Sequence, residues 1–98
     1  MKIRQNNPMI DSNRSIEFEL LKNQNTAKTL LQLKFRDGSS AEISPPVGYE
    51  FSYLSRHPAL GISVVASKIE KREKGSILDW HFGYDEKSGT LFKHCRAY

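Results

Sequence analysis

The sequence predicts a mainly β, antiparallel fold with one short helix. Three observations carry that expectation. Apolar and polar residues alternate over residues 16–20, 31–35 and 78–84, the period of a strand with one buried face. Strong reversal signals, NQNT and RDGSS early and EKSG late, separate alternating stretches. Finally, single registers keep the apolar residues of paired strands on one side, as a half-buried sheet demands.

Residues 1–14 are polar, rich in Asn and interrupted by Pro8, and they read as a flexible N-terminal arm. The remainder, 15–98, reads as one small β-rich domain, because a chain of 98 residues has room for one modest core. Its first part is a three-stranded meander. Ile16, Phe18 and Leu20 share a face, and a four-residue loop at 24–27 sets Leu20 opposite Leu31 and Phe18 opposite Leu33. The same register places Glu17 across from Lys34, a favourable cross-strand charge pair. A second loop at 37–39 then sets Phe35 opposite Ala41 and Leu33 opposite Ile43.

Pro45-Pro46 ends the third strand, since proline cannot donate to a ladder. Val47, Phe51 and Leu54 follow at i, i+4 and i+7, which predicts a short helix near 47–57, stopped by Pro58. Tyr49, Phe51 and Tyr53 read as a lid on the core rather than a stacking platform. Residues 62–74 fit two patterns. The β-branched residues and the alternation of Ile62, Val64 and Ala66 favour a strand, paired with 76–84 through a turn at Lys74-Gly75. The stripe Ile62, Val65, Ala66 and Ile69 supports a helix, which would make the fold α+β.

The C-terminal hairpin, 76–97, holds two of the three histidines. A four-residue loop at 86–89 sorts its faces best, with glycine at the last loop position, where a left-handed backbone is wanted. Leu78, Trp80, Phe82 and Tyr84 then face inward with Leu91, Cys95 and Ala97, and Lys93 is the one intruder. Asp79, His81, Gly83, Phe92, His94 and Arg96 face outward, with Asp79 opposite Arg96 and His81 opposite His94. His57 has no assignable place beside them.

Composition narrows the function classes. The charged fraction of 27% and hydrophobic fraction of 38% are those of a folded domain rather than a disordered chain. A net charge of +4 makes polyanions plausible partners without requiring them. Cys95 is the single cysteine, so no intramolecular disulfide forms, which favours a reducing compartment. No apolar run reaches membrane-spanning length, and the basic N-terminus lacks the apolar segment of a signal peptide. The expected location is cytoplasmic, with no membrane partner.

The run KIEKREKG mixes Lys and Arg with Glu, the pattern of a self-paired solvated face. No diagnostic catalytic, zinc-finger or phosphate-loop motif is present, and no cofactor or metal is expected. The leading expectation is a non-enzymatic protein, an adaptor or inhibitor, that binds a macromolecular protein partner through His81, Phe92, His94, Arg96 and Tyr98. Exposed aromatic and arginine side chains are what interfaces favour. The second is RNA or single-stranded DNA, with Phe92 and Tyr98 stacking on bases while Arg96, Lys2 and Arg4 contact phosphate. The third is a metal-independent nuclease or hydrolase. It would use His81, His94 and Asp79 as acid-base groups, with Arg96 stabilising the charged transition state.

Overall fold

The computed structural model describes residues 2–4, 8–69 and 79–97. Every regular element among them is a β-strand. Strands β1 (Lys2–Arg4), β2 (Met9–Asp11), β3 (Ile16–Asn23), β4 (Thr29–Lys34) and β5 (Ser40–Ile43) form the first antiparallel sheet. Strands β6 (Tyr49–His57), β7 (Gly61–Lys68), β8 (Asp79–Asp85) and β9 (Thr90–Arg96) form the second, in sequence order. Both are antiparallel, so the mainly β, antiparallel class is observed.

The β3–β4 register is the expected one: Leu20 opposes Leu31, Phe18 opposes Leu33, and Lys34 Nζ lies 3.8 Å from Glu17 Oε2. The β4–β5 register differs by two residues. Leu33 opposes Ala41 and Leu31 opposes Ile43, because the loop is 36–38 rather than 37–39. Gly38 has φ +91° and supplies the left-handed position, while Asp37 accepts hydrogen bonds from the Ser39 N–H and hydroxyl. A slip of two preserves the side-chain parity, so the same faces stay buried.

Part of the expected arm is sheet-bound. The β1 strand pairs with residues 21–23 and β2 with 16–18, so together they line the edge of β3 that β4 leaves open. Asp11 is buried and takes N–H donors from Asn13 and Arg14. The Arg14 guanidinium donates to Asp11 Oδ2 at 2.8 Å and to the Tyr84 carbonyl at 2.7 Å. It also lies about 6 Å from the Phe18 and Tyr84 rings. One side chain therefore joins the β2–β3 turn to the end of β8.

Ile16, Phe18, Leu20, Leu31 and Leu33 of the first sheet meet Phe51, Leu54, Ile62, Val64, Ala66, Phe82 and Tyr84 of the second in one core. Leu31 and Leu33 are fully buried, and truncating either to Ala costs about 2–5 kcal/mol.

The helix expected near 47–57 is overturned. Residues 49–57 are β6, paired to β7, with Phe51 opposite Ala66 and Tyr53 opposite Val65. Ser52 is therefore an extra residue, a β-bulge, and it shifts parity within the strand. Phe51 and Leu54 both reach the core although they are three apart, and that interval imitates a helical turn. Val47, the first member of the supposed stripe, is fully exposed. Tyr49 packs against the core and Phe51 is buried, but the bulge turns Tyr53 to the opposite face, where it is exposed. The strand reading holds for β7, so the helical alternative fails over residues 61–68. The Lys74-Gly75 turn and Leu78 lie outside the described residues. Among those residues, no helix is long and apolar enough to cross a membrane.

Candidate functional site

The second sheet has two faces, and the outer one is not simply wet. Val65 lies between Tyr53 and His81 in the ladder and is fully buried, yet it does not belong to the shared core. Ser63 on the same strand is also fully buried. Side chains from β6, β8, β9 and the β6–β7 turn cover this face, and they bring the chemistry together.

Near its turn, the β8–β9 hairpin has the expected register: Asp85 opposes Thr90, Tyr84 opposes Leu91, Gly83 opposes Phe92 and Phe82 opposes Lys93. Beyond that point it changes. His81 opposes Cys95 and Trp80 opposes Arg96, so His94 is an extra residue in β9. This second bulge corrects three expectations. His81 does not oppose His94, and Asp79 does not oppose Arg96. Cys95 sits on the His81 side of the strand rather than with Trp80. Arg96 sits across from Trp80, its guanidinium carbon 5.7 Å from the indole, and Lys93 Nζ lies 4.0 Å from the same ring. The Asp79 carboxylate accepts a hydrogen bond from the Ser67 hydroxyl at 2.6 Å.

The bulge places the consecutive residues His94 and Cys95 across from the one residue His81, and His57 at the end of β6 completes the group. The His57 ring lies 5.0 Å from that of His81 and 5.1 Å from that of His94, edge to face in both cases. Cys95 Sγ lies 3.6 Å from His57 Nε2. All three histidines and the only cysteine of the chain thus meet on one patch.

Local hydrogen bonds orient two of the rings. His57 Nδ1 accepts the Ala59 N–H at 3.1 Å, so its proton resides on Nε2, directed at Cys95 Sγ. The buried Ser63 hydroxyl lies 3.4 Å from the Ser55 carbonyl and 2.8 Å from His81 Nδ1. In the tautomer in which His81 Nδ1–H donates to this hydroxyl, the Nε2 lone pair is free. Burial first, then unfavourable electrostatic interaction with His57 and His94, lowers the His81 pKa from its ordinary value.

Phe92, at 43%, and Tyr53, at 38%, are the exposed aromatics of this face among the described residues. The far end of the Phe92 ring closes over Gly83: a Cβ on Gly83 would stand 2.6 Å from Phe92 Cζ and 2.9 Å from Leu60 Cδ2. His94, Lys93 and Arg96 are exposed along the same strand. Tyr98, and the side chains of Lys2 and Arg4, lie outside the described residues.

Sequence reasoning found His81, Phe92 and His94 on this face, but missed His57, Ser63 and Cys95. The signal for His57 was weak: a histidine before Pro58, on a segment that read as helix. Comparisons with protein-family models, with curated proteins and with solved structures found no match for this chain.

Proposed function

We propose that this domain is a non-enzymatic binding module whose β9 edge receives an acidic segment of a protein partner. The observation that carries the reading is the seating of Phe92. Its ring is bedded on Gly83 and Leu60 while remaining 43% exposed, so an anchor is presented with little ordering left to do. Lys93 and Arg96 are exposed on the same edge strand, on its other face against the Trp80 ring, and exposed cations there favour an acidic partner that wraps the edge. The His94 bulge interrupts the ladder at this edge, which favours recognition by side chains over addition of a partner strand. An acid-base enzyme has less support, because the Asp79 carboxylate is engaged by Ser67 rather than by a histidine.

The experiment is affinity capture from lysate with and without nuclease, comparing the native chain with Phe92→Ala and with Phe92→Ala/Arg96→Ala. A specific protein retained after nuclease, and reduced at least about tenfold by Phe92→Ala, is the expected result. Equal capture by the double variant would reject the proposal. Capture abolished by nuclease and falling steeply with salt would transfer the surface to nucleic acid.

A further inference from the structure

We infer that His57, His94 and Cys95 form a binding site for a borderline-soft divalent metal ion, with Zn²⁺ the best match. One ligand atom from each of the three residues lies within 4.8 Å of the others. Two imidazoles and a thiolate are a donor set suited to zinc, whose bonds of about 2.0–2.3 Å set tetrahedral ligands roughly 3.4–3.6 Å apart. The group must therefore contract by about 1 Å, and the exposed His94 has the rotamer freedom to do it.

The backbone irregularity is the second observation. In a regular strand His94 and Cys95 would point to opposite faces. The bulge, which sets Cys95 across from His81 with His94 as the extra residue, brings both onto the side occupied by His57. Bulges re-aim side chains in this way beside functional sites.

His81 supports the same site from the side. Its Nδ1 is held 2.8 Å from the buried Ser63 hydroxyl; with Nδ1–H donating to that oxygen, Nε2 is unprotonated, the arrangement by which an outer partner prepares a histidine as a ligand. The three protein ligands leave a fourth position for water or for His81.

Coordination rearranges two protons. The ion replaces the thiol proton of Cys95, which passes to solvent. At His57 it takes Nε2, and the displaced proton moves to Nδ1, so the Ala59 N–H contact opens. Ala59 is exposed, so water replaces that bond.

The test uses the whole chain with Co²⁺ as a spectroscopic probe and Zn²⁺ as competitor, in a non-thiol reductant. The expected result is one equivalent of Co²⁺ with a thiolate-to-metal charge-transfer band and the intense visible bands of a four-coordinate ion, all displaced by Zn²⁺. Cys95→Ser removes the charge-transfer band, and His57→Gln weakens binding about 100-fold or more. Circular dichroism of both metal-free variants should match the native chain, which separates ligand loss from unfolding. A Co²⁺ complex without the thiolate band, or native affinity in both variants, would overturn the site. The readout needs no partner, so it stands or falls independently of the β9 interface.

Discussion

Gly83 and Phe92 act as a pair. The space above Gly83 is occupied by the far ends of two side chains, Phe92 and Leu60, and both can swing outward. Gly83→Ala is therefore expected to destabilise the domain by only about 1 kcal/mol, the low end of overpacking costs, while displacing the Phe92 ring. Urea denaturation measures the first effect, and loss of upfield-shifted resonances from residues beneath the ring measures the second. A loss above about 3 kcal/mol would mean that Phe92 is locked in place and cannot yield. The pairing of Gly83 with Phe92 was legible in the sequence, because a loop at 86–89 sets them opposite each other. The closeness of the ring to the backbone was not, because it depends on Leu60 arriving from another turn.

At the scale of the elements, two single-residue insertions decide what the second sheet does. Ser52 in β6 and His94 in β9 each shift the parity of a strand. Side-chain alternation has an unbroken period of two only in a regular strand, so every residue beyond such a point falls on the opposite face from the one the sequence predicts. Phe51 and Leu54 then look helical, and Cys95 looks buried beside Trp80. Between the regular strands β3 and β4 every expected partner is the observed one, while at β4–β5, also free of bulges, the parity is kept but the register differs by two. Deleting His94 makes Phe82–Lys93 and His81–Cys95 consecutive pairs, so the ladder becomes regular. The deletion variant is expected to keep its far-UV circular dichroism and melting midpoint while its Co²⁺ affinity falls about 100-fold or more. Unfolding of the variant would show instead that the bulge is required by the curvature of the sheet.

Across the whole molecule, Arg14 links the two sheets at one end. Removing it leaves the buried Asp11 carboxylate with two backbone donors among the described residues and releases the Tyr84 carbonyl. Breaking a buried pair costs about 3–5 kcal/mol; Arg14 is 22% exposed, so about 2–3 kcal/mol is expected for Arg14→Ala. The unfolding midpoint in urea, followed by Trp80 fluorescence and by circular dichroism, checks the figure. Because the sheets share one core, both probes should shift together. A change confined to one probe would show that the sheets unfold separately.

By itself, the sequence determined the strand class, the β3–β4 partners, the turn-proximal half of the C-terminal hairpin and the outward position of His81 and Phe92. Those follow from local rules, since side-chain alternation and turn chemistry act over a few residues. Only the tertiary structure decided that His57, His81, His94 and Cys95 meet. Their meeting needs one extra residue in β9 and the arrival of β6 from 38 positions before Cys95. No local period encodes either event: a bulge is fixed by how the whole sheet twists and closes over its core.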